Sequence, residues 1–161
     1  MQTLNRTKKA GKYVDTKHVD SLLRTYKKER WIHNSKRIGK ADSLSVWYSI
    51  EELQEFIATA QKNGADGIKM YFGTYSEEST TDELREDRQT IVLVATKNKL
   101  TENGTPFDKS IHINTGNGSQ ILAYNVGKIC PPFCGGVGGE GIDFDNVGVT
   151  LIDSVDGIIV V

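Results

Sequence analysis

The chain has 161 residues, of which 37% are hydrophobic and 25% charged, a composition typical of a water-soluble globular protein. No run approaches the roughly 18 apolar residues that a membrane-spanning helix requires, so no membrane partner is expected. The first residues lead into lysines instead of an apolar stretch, so the sequence predicts no secretory signal and a cytoplasmic location.

The net charge of −1 conceals a strong asymmetry along the chain. Residues 1–40 contain twelve Lys and Arg against three acidic residues, a net charge of +9, whereas residues 41–161 contain eight against eighteen, a net charge of −10. This division indicates either a basic segment that binds an acidic partner or two parts of the chain that attract one another. Charge patterning alone does not separate the two interpretations.

Three segments are expected from composition. Residues 1–14 are polar and basic and predict a flexible arm, residues 15–134 a single domain, and residues 135–161 a glycine-rich tail with one or two short strands. A first helix is predicted over 16–36, because its apolar residues recur at helical spacing and form one buried stripe: Val19, Leu22, Leu23 and Tyr26.

A second helix is predicted over 50–63. Ser49 and Glu52 have the spacing of a capping box, and Tyr48 and Leu53 that of a hydrophobic staple. Gly64 then supplies a residue that tolerates the left-handed turn at which helices end.

Strand patterns dominate the remainder. Short strands are predicted at 44–48, 111–113 and 120–126, and an alternating strand at 67–73 has Ile68, Met70 and Phe72 on one face. Residues 90–96 are apolar on both faces, which is typical of a central strand. Two further strands are predicted at 147–152 and 158–161, the last paired within the fold or with a partner chain. The fold class is therefore α+β, with two N-terminal helices on one face of a mainly antiparallel sheet of four to six strands.

The only two cysteines, Cys130 and Cys134, flank Pro131-Pro132-Phe133. Four interpretations stay open: two inert thiols in a rigid loop, a disulfide, a redox-active pair, and a metal site. A disulfide is unusual in a reducing cytosol, and a closed zinc site needs four ligands, so zinc would have to be shared across a symmetric dimer. No cofactor is otherwise expected.

The glycine-rich tail matches two ligand-binding patterns that its context excludes. Residues 136–141 satisfy the G-x-G-x-x-G pattern, but they follow Pro-Pro and precede no helix, so a dinucleotide site is excluded. Residues 138–146 resemble a single calcium-binding nonapeptide, yet Asp145 replaces an apolar residue and no second copy is present.

A basic surface on the first helix supports a nucleic-acid hypothesis. Its cations would contact phosphates, while Tyr26 and Trp31 could stack on bases. The overall isoelectric point near 6.3 is low for a dedicated nucleic-acid binder. The candidate cations are Lys27, Lys28, Arg30, Lys36 and Arg37.

The order of these motifs resembles a family of small uncharacterised bacterial proteins. Residues 66–73 read Asp-Gly-Ile-Lys-Met-Tyr-Phe-Gly, the strand 90–96 follows, and residues 130–134 carry a Cys-Pro-Pro-x-Cys motif. The likeness covers residues 16–134, and Lys69 stands where the family has arginine. It implies a cytosolic α+β domain of unknown function and assigns no catalytic residue.

The sequence therefore favours a non-enzymatic protein-interaction module that binds a protein partner or itself. Its basic front segment and its apolar C-terminal strand would be the contact surfaces, the strand by addition to a sheet edge. The alternatives are a redox or metal site at Cys130 and Cys134, and nucleic-acid binding through the basic segment.

Overall fold

The computed structural model describes residues 9–134, 151–153 and 157–159. The chain divides into two compact units. The sheet unit contains residues 48–73 and 91–127 together with the described residues 9–10, and the disulfide unit contains residues 11–47, 74–90 and the described residues from 128 onward. The predicted single domain over 15–134 thus spans both units.

The described residues form an α+β fold with antiparallel strands. In chain order the elements are α1 (Thr16–Tyr26), a π-helical turn (Lys27–Trp31), α2 (Ile32–Ile38), β1 (Ser45–Trp47), α3 (Ile50–Lys62), β2 (Gly67–Thr74), β3 (Gln89–Leu100), β4 (Pro106–Ser110), β5 (His112–Thr115), β6 (Gly118–Ile121), β7 (Ala123–Tyr124), β8 (Lys128–Cys130), β9 (Leu151–Asp153) and β10 (Gly157–Ile159).

The first predicted helix is confirmed as a continuous helix formed by α1, the π-helical turn and α2. Asp15 caps its start by accepting a hydrogen bond from the His18 backbone N–H at 2.8 Å. Gly39 ends it with a φ of 71°, a conformation that glycine adopts without strain. The predicted buried stripe on α1 is wrong, because no residue of α1 is buried and Leu22 is 58% exposed.

The strands of the disulfide unit form two short antiparallel pairs. β1 pairs with β8, which places Ser45 opposite Cys130 and Trp47 opposite Lys128. β9 pairs with β10. β9 and β10 overlap the strands predicted at 147–152 and 158–161. The other residues of these two predicted strands lie outside the described part of the chain.

In the sheet unit, α3 begins at the predicted residue and ends at Lys62, one residue before the predicted end. The Ser49 hydroxyl accepts a hydrogen bond from the Glu52 backbone N–H, and the Glu52 carboxylate accepts one from the Ser49 N–H, so the capping box is confirmed. Gly64 follows with a φ of 85°.

The central strand is β3, which has β2 on one side and both β4 and β7 on the other. Four consecutive residues of β3, from Leu93 to Thr96, are buried, so the predicted burial of both faces is confirmed. The core of the sheet unit joins one face of β3 to α3, and its buried members are Phe56, Ala60, Leu93, Ala95 and Leu122. None of the described helices is long and apolar enough to cross a membrane.

Candidate functional site

Cys130 and Cys134 form a disulfide in the structure, with their Cα atoms 4.7 Å apart. The loop they close begins at the end of β8 and is fixed to the rest of the disulfide unit by its backbone. The Cys130 carbonyl accepts a hydrogen bond from Leu44 N at 2.7 Å, and Phe133 N donates to the Ile129 carbonyl at 3.0 Å. The side chains of Ile129 and Pro131 are fully buried. The cysteine loop, residues 130–134, is therefore a packed part of this unit.

The disulfide limits what the cysteine pair can do in this state. Thiolates are the form of cysteine that attacks substrates and binds metals, and neither sulfur is a thiolate here. Within the described part of the chain, no group of three or more His, Cys, Asp or Glu side chains lies close enough together to hold a metal ion. Both thiol chemistry and zinc binding would therefore require reduction of the pair first.

Buried polar residues surround the cysteine loop. Asp42 is 3% exposed, and its Oδ1 accepts hydrogen bonds from the backbone N–H groups of Ser43 and Gln89, both at 2.7 Å. Ser43 in turn donates from its hydroxyl to the Pro131 carbonyl at 3.3 Å. The Asp42 carboxylate and the Ser43 hydroxyl together thus connect three segments that are far apart in sequence.

Arg88 provides the positive charge of this polar interior. It is 5% exposed, and its Nε donates to the Ala41 carbonyl at 2.7 Å, while a terminal nitrogen donates to the Leu84 carbonyl. Burial lowers the pKa of Arg88 below its ordinary value, and the charges of Asp42 and Asp82 oppose that shift. These contacts fix Arg88 as a structural cation in the interior.

An arginine also covers the cysteine loop. The guanidinium of Arg85 lies 5.1 Å from the ring centroid of Phe133 and 5.8 Å from that of Tyr75, both within cation–π range. Asp82 forms an ion pair with Arg85 at 3.4 Å. The acidic segment 77–87 thus also supplies a cation, Arg85, to this part of the molecule.

The two aromatic residues suggested for base stacking are used internally. Trp31 is 8% exposed and its indole N–H donates to the Asp42 carbonyl at 2.7 Å. The Tyr26 hydroxyl donates to the Gln89 side chain at 2.8 Å, and burial raises the pKa of Tyr26. The predicted stacking role of Trp31 is wrong in this conformation, because its ring is not presented to solvent.

The five cations of the predicted basic surface lie on two parts of the first helix. Lys27, Lys28 and Arg30 belong to the π-helical turn, and Lys36 and Arg37 to the last turn of α2. The Lys27 ammonium lies 5.2 Å from the centre of the Trp31 ring, and Lys28 forms an ion pair with Glu29 at 3.7 Å. Arg30 donates to the Glu29 carbonyl at 3.0 Å.

The sequence did not identify an apolar surface on β2. Met70 and Phe72 on one face of β2 are 65% and 81% exposed, and Tyr71 on the other face is 48% exposed. We call these three residues the β2 edge. Met70 and Phe72 alternate onto the same face of β2 as Ile68, and of these three residues only Ile68 packs against the core. Among the described strands, none pairs with the outer side of β2.

A pocket lies next to the start of β2. It has a volume of about 260 Å³ and lies between the second half of α3 and the beginning of β2, where Ile57, Ala60 and Ile68 line it.

Comparison of the chain with protein-family models, with curated proteins and with solved structures gave no match. The geometry of the molecule itself is therefore the basis for a functional assignment.

Proposed function

We propose that this chain is a protein-interaction module that self-associates by pairing β2 of one copy with β2 of a second copy. The observation that carries the proposal is the β2 edge, where three consecutive large apolar side chains are exposed on a strand with no described neighbour on its outer side. An outer strand of this kind is a ready template for strand addition.

The β2 edge lacks the features that usually prevent such pairing. Natural edge strands are protected by charged residues, proline or bulges. Lys69 is the only charged residue in β2, and its ammonium donates to the Asp108 carbonyl on β4 at 3.1 Å. Since β4 lies beyond β3, this contact directs the charge across the sheet and away from the outer side of β2.

A twofold axis through Met70 gives a self-complementary register. Directly opposed residues of antiparallel strands share a sheet face, so Met70 would face its own copy and Phe72 would face the second copy's Ile68. Lys69 would lie opposite the second copy's Tyr71, so no like charges are opposed. Such an isologous arrangement is the commonest symmetry of soluble oligomers.

The pocket beside β2 fits this register. Ile68 lines the pocket, so the second copy's Phe72 would lie at its rim in the proposed dimer. Phe72 is the most exposed residue of the β2 edge, and an aromatic side chain entering an apolar pocket is a common energetic centre of an interface. The twofold axis makes this contact twice.

The first test is the molar mass in solution, measured by sedimentation equilibrium over a wide range of protein concentrations. The wild type is expected to form dimers, and Met70→Glu and Phe72→Glu to weaken dimerisation by about tenfold or more. Ile50→Glu is the matched control, because Ile50 is 66% exposed but lies in the first turn of α3, where an acidic residue is favourable. A monomeric wild type, or dimers unaffected by Phe72→Glu, would overturn the proposal.

A cysteine substitution tests the register. Opposed residues of antiparallel strands have Cβ atoms about 4.5–5.5 Å apart, close enough for a disulfide across the twofold axis. Under mild oxidation Met70→Cys is expected to form a covalent dimer, whereas Tyr71→Cys is not, because Tyr71 lies opposite a different residue. Equal cross-linking of the two variants would contradict this register.

The other functions and the finer features expected from the sequence stay predictions. They are a redox or zinc site at Cys130 and Cys134, nucleic-acid binding through the basic segment, both helices on one sheet face, and a cytoplasmic location. The disulfide weighs against the last of these, because structural disulfides are rare in a reducing cytosol.

A further inference from the structure

A second pocket of the sheet unit differs in character from the pocket beside β2. It has a volume of about 300 Å³ and lies near the C-terminal end of α3, where β3, β4 and the start of β5 meet. Polar and cationic side chains line most of it: Asn63, Lys97, Lys99, Lys109, Ser110 and His112. We call it the lysine pocket.

The strand register concentrates positive charge in the lysine pocket. Lys97 on β3 lies directly opposite Lys109 on β4, and Lys99 lies two residues further along β3 on the same face. Like charges directly opposed across two strands destabilise a sheet. The register therefore places three lysines next to one another on one face of β3 and β4.

Only one of these lysines has a partner of opposite charge. Lys97 forms an ion pair with Asp66 at 3.1 Å. Lys99 and Lys109 are exposed, and no carboxylate of the described residues lies within ion-pair distance of either. The lysine pocket thus carries two uncompensated positive charges.

The carbonyls at the C-terminal end of α3 are hydrogen-bonded to backbone N–H groups. The Ala60 carbonyl accepts from Asn63 N and Ala65 N, and the Gln61 carbonyl accepts from Gly64 N, so these terminal acceptors are already satisfied. The Asn63 side chain also turns back to the helix and donates to the Thr59 carbonyl at 2.9 Å. Ser110 and His112 line the pocket as further hydrogen-bonding groups.

We propose that the lysine pocket binds the dianionic group of a phosphate monoester. Two uncompensated ammonium groups match a charge near −2, and lysine is a common phosphate ligand that acts as a point charge. The volume lies at the lower limit for small-molecule pockets, which suits a phosphate group and little more. A phosphodiester carries a single charge per phosphate, so the nucleic-acid backbone matches the pocket less well.

The test is calorimetric titration of the full chain with inorganic phosphate and with phenyl phosphate at low ionic strength. The double variant Lys99→Gln/Lys109→Gln is expected to lose about tenfold or more in affinity. The control is Lys12→Gln/Lys17→Gln, which removes the same formal charge from exposed positions of the disulfide unit. An equal loss in the control, or no binding to the wild type, would overturn the proposal.

Two further measurements distinguish the source of the phosphate and the role of the lysines. Dimethyl phosphate should bind more weakly than phenyl phosphate. An oligonucleotide with a terminal phosphate should bind, whereas the same oligonucleotide without it should not. Equal binding of these two oligonucleotides would contradict a monoester site. Phosphate should raise the midpoint of thermal unfolding of the wild type but not of the double variant. Stabilisation of both proteins alike would also overturn the proposal. None of these outcomes depends on self-association through β2.

Discussion

The interior of the sheet unit is apolar, whereas that of the disulfide unit contains hydrogen-bonded polar and charged side chains. Phe56, Leu93 and Leu122 fill the first interior. Among the described residues, four of the five buried polar or charged side chains lie in the second: Asp42, Ser43, Arg88 and Thr90. The two interiors therefore respond differently to substitution.

This difference shows how a short chain segment without regular structure can be ordered. Residues 39–44 contain no helix or strand, yet Ala41, Asp42 and Ser43 are all buried. Buried backbone groups need hydrogen-bond partners, and here a carboxylate, a hydroxyl and a guanidinium supply them in place of a regular ladder. The sheet unit satisfies its backbone by strand pairing and needs few such side chains.

The largest effect is expected from Asp42→Ala. This substitution leaves the buried N–H of Ser43 and the partly buried N–H of Gln89 without an acceptor. Each loss costs about 1–3 kcal/mol, so the free energy of unfolding should fall by about 3 kcal/mol. Urea unfolding monitored by tryptophan fluorescence measures this loss, since Trp31 contacts the same segment.

Asp42→Asn separates hydrogen bonding from charge. Both N–H groups donate to the same oxygen, Oδ1, and asparagine retains an acceptor there, so Asp42→Asn should cost much less than Asp42→Ala. An equal cost for the two variants would show that the charge beside Arg88 dominates and would contradict the hydrogen-bond account. Asp108→Ala, which removes an exposed hydrogen bond to Asn98, is the control and should change stability little.

Reduction of the disulfide should have a smaller effect. Closing a loop of this size removes unfolded-chain entropy worth about 2 kcal/mol in the chain-entropy account. We expect the free energy of unfolding to fall by about that amount when a dithiol reductant is added, and to fall equally in Cys130→Ser/Cys134→Ser. The double-serine variant should not respond to the reductant. A wild type whose stability is the same with and without reductant would show that packing and backbone hydrogen bonds hold the cysteine loop without the disulfide.

Local patterns of the sheet unit could be predicted from the sequence because they depend on residues close together in the chain. Ser49 and Glu52 are three residues apart, and residues 90–96 carry their apolar character without interruption, so α3 and the central strand followed directly. The antiparallel α+β class followed from the same patterns.

The candidate sites could not be predicted because they depend on pairing between distant segments. Asp42 and Arg88 resemble surface residues in the sequence. Their interior position depends on two hydrogen bonds between segments 47 residues apart, from Arg88 to the Ala41 carbonyl and from the Gln89 N–H to Asp42. The lysine pocket depends on the register that places Lys97 opposite Lys109. Met70 and Phe72 have the alternation of a half-buried strand, but β2 lies at the outer side of the described sheet and leaves them exposed.

The smallest effects are expected at the start of α3. Ser49→Ala removes the acceptor for the Glu52 backbone N–H and should lower the free energy of unfolding by about 1 kcal/mol. Urea unfolding at neutral pH measures this, with Ser79→Ala on an exposed turn of the disulfide unit as a comparison. Because the cap lies in the sheet unit, the loss should be independent of the reductant that acts on the disulfide unit.

Glu52 makes this contribution depend on pH. Hydrogen bonds from the Ser49 backbone and then from its side chain lower the pKa of Glu52 in the folded state below its ordinary value of 4.5. A carboxyl group with a lowered folded pKa stabilises the fold above its unfolded pKa, and this contribution is lost as the pH falls through the folded pKa.

Glu52→Gln keeps a side-chain oxygen for the Ser49 N–H but cannot ionise, so the variant should lose less stability than the wild type between pH 5 and pH 3. The Tyr124 hydroxyl, which donates to Glu52 at 3.1 Å, should remain bonded in both proteins. Parallel acid unfolding curves for the two proteins would mean that the Glu52 charge contributes nothing and that the capping box acts through neutral hydrogen bonds alone.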